Sequence, residues 1–187
     1  LTRLRNHIEA LKQKYGHDDY DELLDEADHV LNTFTALLRV SRIETEQQKS
    51  HFKAVELDQI IKDIVDFYAP LMEEKNITAT VNTKPIKMRG DRDLLFQAFA
   101  NVLDNAIKYT PKDGSIDIDL FCDDAGTTLI ISDNGIGVSD DDTDKIFDRF
   151  YRAENSRTAK GTGLGLSLVR AVIQLHDGHI HAEDNHP

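Results

Sequence analysis

The sequence predicts an α+β chain. An antiparallel helical hairpin fills residues 1–50, and an α/β sandwich with helices on one face of a mixed sheet fills residues 51–187. Three observations carry this. Leu1, Leu4, Ile8, Leu11 and Tyr15, and again Leu24, Ala27, Leu31, Phe34 and Leu38, recur at three- and four-residue spacing. Past Ser50, segments with strand period and segments with helix period mix without strict βαβ alternation. The 187 residues are 40% hydrophobic, enough for one ordinary core with a helical appendage.

The first two helices bracket a turn, KYGHDD, around Gly16. Leu23, Val30 and Leu37 widen the stripe of the second helix, which fits a bundle better than a two-stranded seam. One antiparallel pair buries little surface, so two copies are expected to form a homodimer through a four-helix bundle. The plainer alternative is a hairpin packed on its own globular domain.

HFKAVE then reads as a strand, and Asp58 is placed to cap a helix carrying Ile60, Ile61, Ile64, Val65 and Tyr68. Pro70 should kink or end that helix. NITATVNT and IKMR alternate as strands. Asp91 caps the next helix, whose apolar face is Leu95, Phe99, Val102 and Ala106. IDIDLF and TTLIIS form a hairpin across DDAG. Residues 138–160 are polar around one apolar cluster, KIFDRFY. LGLSLVRAVIQL is a last long helix; Gly178 supplies its left-handed stop, and His176 favours its C-terminus electrostatically. HIHAE is a final strand.

The formal net charge of −12 speaks against nucleic acid or an anionic membrane as a partner. Cys122 is the sole cysteine, which excludes a disulfide framework and fits a reducing, cytoplasmic setting. No stretch reaches the roughly twenty apolar residues of a spanning helix, and no signal peptide is visible. The sequence opens on Leu1 in mid-pattern, so a piece of a longer chain is expected, with any membrane attachment upstream.

Three segments could do chemistry. In NVLDNAIKYT, residues 101–110, Asn101 and Asn105 share a helix face with Lys108. Asparagine is a mediocre helix former. Amide oxygens suit Mg²⁺ that already carries phosphate oxygens and water, and Lys108 adds a point charge for phosphates. The plainer alternative is a solvated face with Lys108 paired to Asp104. In SDNGIGV, residues 132–138, Asp133 ends an apolar strand where a carboxylate could accept a hydrogen bond from an exocyclic amine. Gly135 and Gly137 would let the backbone approach a flat ring; an ordinary loop explains them as well. In KGTGLGLSLVRAVI, residues 160–173, Gly161, Gly163 and Gly165 lead into a helix, whose exposed N–H groups and dipole favour anions. A Rossmann reading fails, because no strand precedes these glycines and their spacing is one residue short.

Taken in order, these segments resemble the ATP-binding domain of sensor histidine kinases, on the fold shared with Hsp90 chaperones, type II topoisomerases and MutL. NVLDNAIKYTP looks like the N box, DNGIG like the first glycine box, FDRFYR with Phe147 and Phe150 like the F box, and GTGLGL like the second glycine box. The resemblance runs from about residue 52 to the end. It implies a histidine kinase core that uses ATP and Mg²⁺, passes the γ-phosphoryl to a His, and then serves the receiver domain of a response regulator. Asn105 would coordinate Mg²⁺ with Asn101 beside it, and Lys108 would meet the phosphates. Tyr109 would pack on the adenine, Asp133 would bind its amine, and Gly135 and Gly137 would line it. Arg149 or Arg152 would reach a phosphate. Gly161, Gly163 and Gly165, with the intervening Thr162 and Leu164, would hold the triphosphate end of a lid at about 138–160.

The same resemblance makes the hairpin a dimerisation and phosphotransfer region whose acceptor His is expected just before Leu1. His7 sits too late on its helix and lacks the flanking Arg-Thr-Pro. Two other readings stay open: a non-catalytic nucleotide-binding and dimerisation module, and an ATPase of the chaperone or topoisomerase branch. The hairpin and FDRFYR argue against the second. A metal site from His176, His179 and His181, and a calcium loop at SDDDTD, are weaker readings than helix-end and solvated roles.

Overall fold

A computed structural model describes residue 49, residues 52–153 and residues 162–185. The predicted hairpin, His7 and Gly161 lie outside the described residues, as do positions 154–160 of the expected lid.

Strand β1 (Lys53–Glu56) passes directly into helix α1 (Leu57–Glu74). Strands β2 (Thr78–Thr83) and β3 (Lys87–Gly90) follow, then helix α2 (Arg92–Tyr109). A hairpin of β4 (Ser115–Asp123) and β5 (Gly126–Asp133), a 3₁₀ turn (Lys145–Phe147) and helix α3 (Gly165–Leu175) complete the described elements. The expected sheet divides in two. β1 pairs antiparallel with β3, while β4 lies between β2, parallel to it, and β5, antiparallel to it. The three-stranded sheet is therefore mixed, as the sequence predicts.

Register decides which side chains face the helices. Ala79, Ile116 and Asp133 lie opposite one another, as do Val81, Ile118 and Ile131, and Thr83, Leu120 and Leu129. Opposed residues share a face, and the next pair along points away. Ile116, Ile118 and Leu120 are fully buried, whereas Asp117 and Ile130 on the other face are exposed. On that outer face Asn82 donates to Asp119 at 3.0 Å.

The helices meet the inner face through one apolar cluster. It holds Ile60, Ile61 and Ile64 of α1, Leu95, Phe99 and Leu103 of α2, and Val169 and Val172 of α3. α2 packs against both other helices. Each such side chain contributes about 1.5–3 kcal/mol on burial. Asp91 caps α2 as predicted, accepting from the N–H groups of Asp93 (3.0 Å) and Leu94 (3.1 Å).

Four expectations are corrected. Asp58 is not a cap: Glu56 holds that position without a side-chain bond, and the Leu57 N–H donates to the Ile86 carbonyl at 2.9 Å. Asp58 instead sits in the first turn and accepts from Lys62 at 3.0 Å, a bond that lowers its pKa. Pro70 does not end α1, which runs on to Glu74. The carbonyl its missing N–H cannot serve belongs to Asp66, an exposed position open to water. The left-handed stop after α3 is Asp177 (φ 59°), not Gly178. Asp177 N–H bonds to Gln174 and Gly178 N–H to Ile173, the two bonds of a Schellman motif. Gly178 is small for another reason: a Cβ there would lie 3.0 Å from Ile173 Cγ2. α1 ends the same way, with Asn76 (φ 54°) in the left-handed place and Ile77 N–H on the Met72 carbonyl. Finally, HIHAE forms no ladder among the described residues. Ile180 and Ala182 are half-buried and His179, His181 and Glu183 exposed, so the strand-like alternation is real but the hydrogen bonds are not made.

Candidate functional site

The site lies where α2, the end of β5 and the start of α3 meet. Asn101 and Asn105 are half-buried on α2, flanked by buried Leu103 and Ala106. A Cβ on Gly165 would stand 3.5 Å from Asn101 Oδ1, so the first residue of α3 rests against the first amide. The amide helix and the glycine-led helix start are thus one place.

Asp133 arrives from the opposite wall. Its register with Ile116 turns it to the helical side of the sheet, where it is half-buried. Its Oδ1 accepts the Gly135 N–H at 2.9 Å, which fixes the turn and leaves Oδ2 for another donor. Gly135 is required by space. A Cβ would lie 2.5 Å from Asp133 Oδ1 and 2.7 Å from the Tyr109 carbonyl. Gly137 is required by backbone, at φ 69°. Asn134 closes the corner, its side chain accepting from Ser115 N–H at 2.8 Å and its own N–H donating to Ser115 O at 3.2 Å. Beside this turn the Lys108 ammonium stands 5.1 Å from the centre of the Tyr109 ring.

A cleft of about 1750 Å³ runs through this junction. Asn101, Asn105, Lys108 and Tyr109 line it on one side, with Asp133, Gly135 and Gly137 across from them. Arg152, Thr162, Gly163 and Gly165 lie along its rim. Arg149 is exposed and lies outside its lining. Leu164 is buried in the fold, with its N–H on Thr162 Oγ1 at 3.3 Å.

The rim is held by different means. Phe150 N–H bonds to the Gly163 carbonyl at 2.9 Å, and both residues are left-handed, at φ 64° and 69°. Tyr151 hydroxyl donates to Asp142, which lowers that carboxyl's pKa. Arg170 of α3 bonds to Asp148 Oδ1 and the Asp144 carbonyl, both at 3.2 Å, and covers the buried Phe147 ring at 5.2 Å.

At the far end of α3, His176 is a fixed neutral tautomer. Nδ1–H faces the Val172 carbonyl at 2.8 Å, and Nε2 accepts the Asp91 N–H at 3.0 Å. The ring stacks on Phe52, 4.4 Å centre to centre. Burial lowers its pKa, so it serves the helix end as a hydrogen-bond donor rather than as the charge the sequence suggested.

Residues 90–187, just over half of the chain, match the family described as histidine kinase-, DNA gyrase B-, and HSP90-like ATPase. This chain belongs to that family. Among relatives of this chain, the sensor protein kinase WalK of Staphylococcus aureus is 29% identical over 97% of the chain. The chain spans about half, 46%, of that relative's length. Among solved structures, the mycobacterial sensor histidine kinase MprB is 30% identical, with TM-score 0.62, over 70% of this chain and 83% of that one. Full-length ShkA, solved with AMPPNP, shares the fold at TM-score 0.72 and 23% identity over 88% of this chain and 35% of that one. Among the described residues no helix is long and apolar enough to cross a membrane.

Sequence reasoning missed Asn134, Arg170 and Lys75. Asn134 had a local signal, an Asn-Gly pair after a strand. Arg170 and Lys75 act on segments distant in sequence, and nothing in their neighbourhoods names the partner.

Proposed function

We propose that this ATPase-family chain is the catalytic core of a sensor histidine kinase in a two-component system. It binds MgATP and transfers the γ-phosphoryl to a His imidazole, from which it passes to a response regulator Asp. The observation that carries this is the convergence of Asn101, Gly165 and Asp133 on one cleft. Residues 1–50 would form the dimerising phosphotransfer hairpin and residues 51–187 the ATP-binding domain, with a lid at about 138–160. The chain would be the cytoplasmic portion of a sensor kinase, with any membrane attachment in upstream segments.

Asp133 Oδ2 would accept from the adenine amine, with Tyr109 on the ring and Gly135 and Gly137 beside it. The donor set fits a divalent ion: the side-chain oxygens of Asn101 and Asn105 are neutral and half-buried beside the cleft. Mg²⁺ held there would neutralise phosphate charge. Lys108 would steady the phosphates, joined by Arg149 or Arg152, and residues 161–165 would offer N–H groups at the start of α3. The protein's part is positioning and charge, since phosphoryl transfer needs little covalent help.

Calorimetry tests this. The chain should bind ATP in Mg²⁺, and Asp133→Asn should weaken binding by about 10- to 100-fold, the value of a hydrogen bond to a charged group. Asn105→Ala should chiefly remove the Mg²⁺ dependence. Equal affinity for ATP with and without Mg²⁺ in the parent chain would refute the metal assignment. Unchanged binding by Asp133→Asn would refute the base pocket.

A further inference from the structure

We infer that Lys75 is a positioning residue for the nucleotide site, acting through the C-terminal end of α2. Its ammonium donates to the carbonyls of Ile107 (2.7 Å), Lys108 (3.0 Å) and Thr110 (3.0 Å). An ammonium has three N–H groups, and all three are used. These carbonyls end the helix that carries the site amides, where the helix dipole favours a cation. The cation comes from another helix: Lys75 follows α1 and is half-buried.

The same residue fixes the turn beyond α2. Its carbonyl accepts the Asp113 N–H at 3.0 Å, and Thr78 N–H donates to Gly114 at 2.9 Å. Thr110 depends on this grip. Its side-chain hydroxyl is buried without a hydrogen-bond partner, while its N–H bonds to Ala106 at 2.9 Å. Lys75 therefore holds the carbonyl side of Thr110.

The position of this helix end matters to the cleft. Gly135 touches the Tyr109 carbonyl so closely that no Cβ fits between them. Moving the end of α2 changes where the Tyr109 ring and the Lys108 ammonium stand relative to Asp133. The three carbonyls held by Lys75 surround the two side chains proposed to meet base and phosphate. Lys75 itself does not line the cleft, so its effect is indirect.

The inference rests on the proposed ATP site for its consequence, but not for its geometry, and two measurements separate them. In the nucleotide-free chain, Lys75→Met should shift the backbone amide resonances of Tyr109 and Gly135 while leaving those of Ile118 in place. With MgATP, Lys75→Met should bind at least tenfold more weakly. Ile61→Val, a core change at a residue outside the cleft lining that costs about 0.5–1.5 kcal/mol, should bind as the parent does. Lys75→Arg retains the charge and should move the Tyr109 and Gly135 resonances back toward their parental positions and recover part of the affinity. Unmoved Tyr109 and Gly135 resonances, or parental affinity in Lys75→Met, would overturn the inference. Failure of the parent chain to bind ATP would overturn the proposed function, and the resonance shifts would still decide the geometry.

Discussion

The two ends of the cleft are built differently. At the Asp133 end, three turns interlock through backbone and side-chain hydrogen bonds: residues 75–78, 110–115 and 133–135. Glycines there are fixed by contact distances that leave no room for a methyl group. At the Phe150 end, Gly163 meets backbone as tightly, a Cβ there lying 2.8 Å from the Phe150 carbonyl carbon, and side-chain pairs supply further support. Phe150 shows 53% of its surface, and two supports there, Arg170–Asp148 and Tyr151–Asp142, are polar. Close packing fixes one geometry, whereas exposed polar contacts are individually weak and easily exchanged for water. The base end is therefore preset by interlocked turns, whereas the rim combines one tight backbone contact with side-chain pairs.

Gly135→Ala strikes the preset end and should have the largest effect. Its methyl would collide with Asp133 and with the Tyr109 backbone. A loss of about 1–3 kcal/mol is expected for overpacking, read from urea unfolding, together with weaker nucleotide binding. Parental stability would mean that this end yields as readily as the rim.

Arg170→Ala strikes the rim. Arg170 and Asp148 are solvent-accessible, so stability should fall by only about 0.2–1 kcal/mol. Limited proteolysis near residue 150 should nonetheless accelerate, because the Phe147 turn loses its cover. A larger loss of global stability would show the rim to be part of the same rigid unit.

The smallest effect is a graded one with pH. Burial lowers the His176 pKa below its usual 6.5, so the unfolded chain takes up this proton first on acidification. The stability contributed by neutral His176 is complete above about pH 6.5 and declines as pH falls through the window between that value and the lowered one. Asp91, Asp177 and Lys49 face this ring; the two carboxylates oppose the shift and the lysine adds to it. Urea midpoints at pH 7.5 and 5.5 should show the slope, and His176→Gln should reduce it.

Local chemistry was legible in the sequence where it acts locally. Asp91 capped its helix because a cap needs only the next three residues. The amide pair and the glycine-led helix start stood out by spacing, but only their order with DNGIG and FDRFYR, and the family resemblance it carries, gave them a role. Asp58 misled because an acidic residue at a helix start serves equally as a cap or as a first-turn partner for Lys62. Gly178 misled because its smallness answers Ile173 rather than a left-handed φ. HIHAE has the alternation of a strand, but pairing depends on the neighbouring edge, which no local pattern states. Lys75 was invisible for a similar reason, since its carbonyl partners lie 32, 33 and 35 residues away.

α3 joins two distant places. Gly165 begins it against Asn101, and eleven residues later it ends near His176, a span of about 16 Å. There Phe52 stacks on the imidazole and Lys49 grips Asp177 at 2.8 Å. A helix resists compression, so a displacement of Phe52 or Lys49 would be felt at Gly165 and at the Asn101 amide it rests against. One rigid element thus ties Lys49 and Phe52 to the helix that carries the two amides.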